Sequence, residues 1–209
     1  MSEFQLPAEI IEKYHILKDK IREKLREFSE IKPERYFYEL CFCILTPQTS
    51  AINADKAVQK LEKADFQHNN FDPINILKDK NHYIRFHITK SRRLIEMKQK
   101  FDSISLILNS NLKAEKKRDW LVENIKGLGM KESSHFLRNI GYQGLTILDR
   151  HILKHLVLCK LYKNLPPISS KKVYLSVEKK FKKFAKIVNI SVDELDLLFW
   201  SYETGIILK

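Results

Sequence analysis

Apolar residues recur at intervals of three and four along most of this chain, and that spacing predicts amphipathic helices. The first run follows Pro7, which suits the first turn of a helix, and continues to Phe28. A second run starts near Pro33 and is interrupted by Thr46-Pro47-Gln48-Thr49-Ser50. A third run starts near Ser50. The first quarter of the chain is therefore predicted to form three helices.

The rest of the chain alternates between polar stretches and further helical runs. Residues 66–90 are polar, with a short helix starting at Asp72-Pro73 and a loop over 83–87, and periodicity returns from Leu94 to Ile125. Helices are then predicted near residues 131–140, 150–162, 171–188 and 192–204, the last opened by the capping box Ser191-Val192-Asp193-Glu194. No segment alternates convincingly as a strand. The pattern predicts an all-α protein of about ten helices without repeats.

Composition and net charge indicate what kind of molecule the protein binds. A length of 209 residues allows one domain or two small lobes, and 44% apolar with 31% charged residues is typical of a soluble globular protein. The formal charge of +12 and the isoelectric point near 9.5 favour a polyanionic partner.

The three cysteines, Cys41, Cys43 and Cys159, form neither a disulfide framework nor a metal cluster, and core thiols are the simplest interpretation. The first residues lack the basic and apolar regions of a signal peptide, and no apolar run reaches membrane length. We therefore expect a cytoplasmic, nucleoid-associated protein.

Four of the five glycines, Gly127, Gly129, Gly141 and Gly144, crowd into one short window. Gly127 and Gly129 bracket Leu128 between two helical patterns, which predicts a tight hairpin joining two helices. Backbone N–H groups at the start of the second helix would suit a phosphate, and such a contact carries no base-sequence information. This window marks the functional centre.

Lys131 and Asp149 supply candidate chemistry next to this hairpin. At the first turn of a helix, the dipole and partial burial disfavour an ammonium, so Lys131 could act as a nucleophile that forms a Schiff base. Asp149, at the N-cap of a later helix, could orient the lysine, help deprotonate it or stabilise a developing positive charge. A solvated lysine and a simple capping aspartate are the alternatives.

The joint pattern resembles the helix-hairpin-helix DNA glycosylase superfamily. Gly127-Leu128-Gly129-Met130-Lys131 is similar to its hairpin with the catalytic lysine, and Leu148-Asp149-Arg150-His151 to the segment with its essential aspartate. Leu45-Thr46-Pro47-Gln48-Thr49-Ser50 resembles a helix end that lies against DNA. The resemblance covers residues 35–160. It implies one glycosylase unit over residues 1–209, with lobes 35–125 and 1–34 plus 126–209 and the active-site cleft between them.

The resemblance also implies an activity: a bifunctional glycosylase and abasic-site lyase that acts on double-stranded DNA as a monomer. Lys131 would attack C1′ of a flipped nucleotide, and Gln48 would fill the space that the base leaves. No cofactor would be required. A monovalent cation, sodium or potassium, could bind main-chain carbonyls at Lys126, Leu128 or Met130.

Two branches of the superfamily fit poorly. No cysteine follows Cys159, whereas endonuclease III-like relatives need four for an iron–sulfur cluster, and the N-terminus begins with a helix where eukaryotic 8-oxoguanine enzymes have a β-domain. The chain instead resembles archaeal-type 8-oxoguanine DNA glycosylases, which end in a lysine that recognises the lesion. That resemblance implies that Phe86 and Trp200 sandwich the oxidised base and that Lys209 contacts its edge. Glycine commonly ends a helix, so Gly205 is predicted to end the last one.

Phosphate contacts are expected from Gly127, Gly129, His151, Arg85 and Arg92, with Lys90 and Arg93 as further candidates. Each lesion contact has a plainer alternative: Trp200 as core, Phe86 as a loop anchor and Lys209 as a disordered terminus. The lysines of residues 179–184 favour a solvated helix face over a DNA groove. Two alternative functions remain: a glycosylase/lyase for oxidised pyrimidines or other lesions, and a noncatalytic module that only holds DNA backbone.

Overall fold

The computed structural model describes residues 5–207, and within them the chain folds into α-helices without a β-strand. The all-α prediction is therefore confirmed for the described part of the chain. Eleven α-helices are present there: α1 (Ala8–Ser29), α2 (Tyr36–Leu45), α3 (Ala51–Lys63), α4 (Ile74–Leu77), α5 (His87–Gln99), α6 (Phe101–Leu108), α7 (Ala114–Asn124), α8 (Met130–Asn139), α9 (Arg150–Leu158), α10 (Lys171–Val188) and α11 (Val192–Thr204).

Several helix ends differ from the sequence-based prediction, including the start of α5, which lies at His87 and not near Leu94. Residues Pro33–Arg35 form a 3₁₀ turn, so α2 begins only at Tyr36. The helix predicted for residues 150–162 ends at Leu158, because Lys160 adopts a left-handed conformation with φ of 60°. A left-handed residue cannot continue an α-helix.

The chain divides into two compact units. One unit comprises Met1–Glu30 with Leu137–Lys209, and the other comprises Ile31–Phe136. The second boundary falls inside α8. The sequence-based expectation places the boundaries after residues 34 and 125 instead. The structure thus groups the hairpin and Lys131 with the middle of the chain.

The unit of residues 31–136 is organised around α2. Every residue of α2 from Phe37 to Leu45 is buried, as expected of a helix that is apolar on all sides. Helices α3 and α5 pack against it. Cys41 and Cys43 belong to this core, and burial raises the pKa of the Cys41 thiol.

The other unit is organised around α11, which packs against α1, α9 and α10. The capping box predicted at its start is confirmed, since Ser191 and Glu194 exchange side-chain to backbone hydrogen bonds. Glu194 also accepts hydrogen bonds from Arg22 over 2.7 Å and from Tyr14 over 3.2 Å, which ties α1 to the start of α11. Burial raises the pKa of the Cys159 thiol of this unit to about 12.

Candidate active site

The predicted hairpin is present between α7 and α8. Its turn is closed by the N–H of Leu128, which donates to the carbonyl of Ile125 over 3.2 Å. Gly127 has a φ of +97°, a value that residues with a side chain rarely adopt. A β-carbon at Gly127 would also lie 2.7 Å from Cδ of Arg93. The backbone angle therefore favours glycine here, and any side chain would also have to displace Arg93.

Lys131 lies in the first turn of α8, directly after the hairpin. About a third of its side chain is exposed, so a bound molecule can reach the amine. Nζ of Lys131 lies 3.1 Å from Oε1 of Glu132. The candidate nucleophile is accessible and has a carboxylate partner on its own helix.

Glu132 also caps the start of α8. Gly129 occupies the N-cap position, because its carbonyl accepts the N–H of Ser133 over 2.9 Å. The N–H of Gly129 donates to Oε2 of Glu132 over 3.2 Å, which is half of a capping box. One of the amides expected to bind phosphate is thus occupied by a side chain. Sequence analysis missed Glu132, although a glutamate three residues after an N-cap is a recognisable signal.

Phe86 has a strained backbone at the start of α5. It is the N-cap of that helix, with φ of 60° and ψ of 33°, a left-handed conformation unusual for a bulky residue. Half of Phe86 is exposed, and the guanidinium of the exposed Arg85 lies 4.9 Å from the centre of its ring. Strain of this kind is retained where the surroundings impose it, often at functional sites. Arg92, also expected to contact phosphate, is exposed on α5.

Gln48 lies in the loop that connects α2 and α3. It is exposed and left-handed, with φ of 56°. The turn around it is closed by the N–H of Thr49, which donates to the carbonyl of Thr46 over 2.9 Å. Gln48 and Phe86 are thus two left-handed, exposed residues of the same unit.

The expected phosphate contact from Lys90 is wrong. Lys90 is 2% exposed, and its ammonium donates to the carbonyls of Leu45 and Pro47 over 2.6 and 2.7 Å and to Oγ1 of Thr49 over 2.9 Å. Burial lowers the pKa of Lys90 to about 8, with the charges of Arg93 and Lys131 adding to the effect. The ammonium of Lys90 is unavailable to a phosphate, because three acceptors inside the protein already bind its three N–H donors.

Asp149 is the N-cap of α9, as predicted. Oδ1 accepts the N–H groups of His151 and Ile152 over 2.8 and 2.9 Å. The side chain is half-buried. These bonds orient the carboxylate and leave Oδ2 for another partner.

The loop that leads to Asp149 is held by three side chains of α10 and α11. Asp193 accepts the N–H of Gly144 over 2.9 Å, and Tyr174 donates to the carbonyl of Thr146 over 2.6 Å. Glu178 accepts the N–H of Thr146 over 3.2 Å. Loop and cap together fix where Asp149 lies within its unit.

Arg138 is bonded to a buried carboxyl group in the same unit. Nη1 of Arg138 donates to Oδ2 of Asp196 over 3.3 Å. Burial raises the pKa of Asp196 to about 7, an effect that Arg138 opposes and that the charges of Asp149 and Asp193 increase.

The remaining predicted site residues lie on α9, on or directly after α11, or outside the described residues. His151 Nδ1 lies 3.8 Å from Oε2 of Glu203, and Trp200 is half-buried on α11. Gly205, with φ of 78°, ends α11 as predicted, whereas Lys209 lies outside the described residues. The candidate residues fall into two sets, Asp149, His151 and Trp200 in one unit and Gln48, Arg85, Phe86, Arg92, Lys126, Gly127, Leu128, Gly129 and Lys131 in the other.

Two features are absent from residues 5–207. No three His, Cys, Asp or Glu side chains come together in a way that could hold a metal ion. None of the helices in that range combines the length and the apolar character needed to span a membrane.

Comparisons with known proteins agree on one family. Residues 21–190 match the family model Ogg-HhH, described as 8-oxoguanine DNA glycosylase. An 8-oxoguanine DNA glycosylase/AP lyase of Fusobacterium nucleatum is 37% identical over 211 residues, covering 96% of each chain. One of Methanocaldococcus jannaschii is 35% identical, covering 92% of this chain and 93% of the relative.

Solved structures give the same result. The 8-oxoguanine glycosylase/lyase of Methanocaldococcus jannaschii, in complex with a 15mer DNA containing 8-oxoguanine, superposes with a TM-score of 0.84 at 31% identity, covering 96% of this chain and 99% of that chain. The 8-oxoguanine DNA glycosylase of Thermotoga maritima superposes with a TM-score of 0.85 at 30% identity, covering 96% and 97%.

Proposed function

Because this chain belongs to the 8-oxoguanine DNA glycosylase family, we propose that it excises 8-oxoguanine from duplex DNA and then cleaves the resulting abasic site. One observation carries the proposal: an accessible amine, Lys131, follows a glycine hairpin at the start of α8, within the residues that match the family. A pure DNA-binding module has no need for the pair of Lys131 and Asp149.

Lys131 would act as the nucleophile. Its neutral amine attacks C1′ of the damaged nucleotide, the glycosidic bond breaks, and the base leaves with the bonding electrons and takes up a proton. Opening of the sugar ring then gives a Schiff base at C1′. Loss of a proton from C2′ expels the 3′ phosphate by β-elimination, and hydrolysis of the imine returns the amine.

Asp149 would assist this chemistry. A carboxylate held by two amide hydrogen bonds can accept a proton from the lysine or stabilise positive charge that develops on the sugar. An amine and a carboxylate suffice for both steps, so the proposal requires no iron–sulfur cluster or other cofactor.

Recognition of the lesion would require the nucleotide to leave the duplex, at a cost of a few kcal/mol. Gln48 would fill the vacated space, while Phe86 and Trp200 stack on the two faces of the base and Lys209 contacts its edge. The exposure of Gln48 and Phe86 supports these roles. Aromatic stacking contributes about 1–3 kcal/mol per base.

Contacts to the DNA backbone would come from the hairpin at Gly127 and Gly129 and from Arg85, Arg92 and His151. The net charge of +12 supports a polyanionic substrate, which the protein would meet as a monomer in the nucleoid. A sodium or potassium ion could bind the carbonyls of Lys126 and Leu128, because the hairpin bonds from Leu128 and Ser133 use the carbonyls of Ile125 and Gly129.

Borohydride trapping tests the proposal. Reduction of the Schiff base should give a covalent complex between the protein and a duplex with 8-oxoguanine opposite cytosine. Lys131→Gln should abolish it, while Lys116→Gln, a matched change at an exposed lysine of α7, should retain it. Trapping that survives Lys131→Gln would rule out the proposed nucleophile.

The same assay separates the alternatives when it is run on a panel of lesions. Stronger trapping on oxidised pyrimidines than on 8-oxoguanine would reassign the substrate. Salt-sensitive binding without trapping on any lesion would indicate a noncatalytic DNA-binding module.

A further inference from the structure

Lys90 occupies an unusual position for a lysine, because its ammonium lies in the interior and contacts a single segment of chain. All three acceptors belong to residues 45–49: the carbonyls of Leu45 and Pro47 and the hydroxyl of Thr49. The pKa of about 8 leaves the side chain protonated at neutral pH, so all three donors are present.

The carbonyl of Leu45 explains part of this arrangement. Leu45 is the last residue of α2, and the final carbonyls of a helix have no partner within it. Lys90 supplies one, and its positive charge faces the negative end of the α2 dipole. The hydrogen bond and the helix dipole thus offset part of the cost of burying the charged ammonium of Lys90.

The same bonds hold the turn that contains Gln48. A left-handed residue with a side chain costs about 1–2 kcal/mol, so the surrounding structure must stabilise it. Lys90 contacts Pro47 and Thr49, the residues directly before and after Gln48. It therefore holds the strained turn from both sides.

Lys90 is also joined to the second left-handed residue. Its backbone N–H donates to the carbonyl of Phe86 over 3.0 Å, in the first turn of α5. Lys90 thus bonds to Phe86 through its main chain and to the residues on either side of Gln48 through its side chain. We propose that Lys90 is a positioning residue that fixes the geometry of Gln48 relative to Phe86 for extrusion of the damaged base.

This inference rests on the proposed function, because it assigns Gln48 to the vacated space and Phe86 to the extruded base. It has a consequence that general stabilisation lacks. Excision of a base needs extrusion, whereas an abasic site has no base to extrude or stack. Loss of the Lys90 contacts should therefore impair excision far more than Schiff-base formation at a preformed abasic site.

The experiment compares Lys90→Met with Lys98→Met. Methionine keeps an unbranched side chain and removes the three donors. Lys98 lies on the same helix and donates to one carbonyl, that of Asn69 over 2.7 Å, so it controls for loss of a lysine from α5. Each variant is assayed for single-turnover excision of 8-oxoguanine, for borohydride trapping on an abasic duplex, and for fluorescence of a 2-aminopurine beside the lesion, which reports unstacking.

For Lys90→Met we expect excision to fall by about tenfold or more, trapping on the abasic duplex to stay within about threefold of wild type, and the fluorescence rise to be lost. Lys98→Met should match wild type in all three assays. Equal losses on both substrates, or unchanged excision, would overturn the inference. Failure of the wild-type protein to trap either substrate would instead refute the proposed function.

Thr49→Val provides a second variant should Lys90→Met fail to fold. It removes one acceptor of Lys90 while nearly keeping the volume of the side chain. We expect a smaller loss in the same direction, about threefold in excision, with trapping on the abasic duplex unchanged. Wild-type excision by a folded Thr49→Val protein would contradict the role of these contacts.

Discussion

The N–H of Gly129 donates to the carboxylate of Glu132 over 3.2 Å, so the hairpin amide at the start of α8 is bonded to a side chain. The other oxygen of that carboxylate lies 3.1 Å from the amine of Lys131. One glutamate therefore contacts both the proposed phosphate-binding backbone and the proposed nucleophile. DNA that contacts the amide of Gly129 must displace this carboxylate.

Substitutions of Glu132 should separate its two contacts. Glu132→Ala loses the cap and should lower the free energy of unfolding by about 1 kcal/mol, whereas Glu132→Gln keeps an acceptor for Gly129 and should stay close to wild type. Because only alanine frees the amide, Glu132→Ala should bind undamaged duplex about threefold more tightly than Glu132→Gln in anisotropy titrations. Equal affinities would show that the amide does not contact DNA. Glu96→Gln, which removes the partner of Lys126, controls for charge.

Asp149 should have separable structural and chemical roles. Asparagine is a good N-cap, so the free energy of unfolding of Asp149→Asn should stay within about 0.5 kcal/mol of wild type. That of Asp149→Ala should be lower by about 1 kcal/mol. Both should reduce single-turnover excision by about a hundredfold or more, with binding of undamaged DNA retained. Wild-type turnover by Asp149→Asn would remove the chemical role and leave only the cap.

Alanine substitutions at Gly127 and Gly144 test how strongly the hairpin depends on glycine at position 127. Both have positive φ, but a β-carbon at Gly144 would meet nothing within 4 Å, whereas one at Gly127 would meet Arg93 at 2.7 Å. Gly144→Ala should therefore cost only the backbone strain, about 1 kcal/mol, and Gly127→Ala should cost about 2–3 kcal/mol. Urea denaturation measures both. Equal losses would mean that Arg93 moves aside without cost.

Replacement of Phe86 by asparagine should leave stability nearly unchanged and reduce activity. Asparagine tolerates the left-handed region, so in Phe86→Asn the relief of strain should offset the lost ring packing to within about 0.5 kcal/mol. Excision should fall by about tenfold or more, because the stacking surface is gone. Lys160→Asn makes the same exchange at the end of α9 and should gain about 1 kcal/mol with full activity. Normal excision by Phe86→Asn would exclude Phe86 from lesion recognition.

Asp196 should make stability depend on pH. Burial raises the pKa of this carboxyl from 3.8 to about 7, so the folded protein binds the proton more tightly than the unfolded chain. The contribution of Asp196 to the free energy of unfolding therefore falls as pH rises from about 4 to about 7. Asp196→Asn removes this titration, and its stability relative to wild type should increase across that window. A difference in stability that stays constant between about pH 4 and about pH 7 would contradict the assignment.

Much of the fold follows from local signals. The apolar spacing of α1, the capping box of α11 and the glycine that ends it are each set by residues a few positions apart, and each prediction is confirmed. The end of α9 was predicted four residues too late, because a left-handed residue such as Lys160 has no distinctive sequence signal.

The sequence by itself determined the helices, the hairpin and the resemblance that points to Lys131 and Asp149. Only the tertiary structure decided the burial of Lys90, whose acceptors lie 41 to 45 residues away, and the close approach of Arg93 to Gly127. The physical reason is the distance along the chain over which each kind of interaction acts. Periodicity and capping act within one or two turns, whereas the environment of a charged side chain depends on which distant elements pack around it.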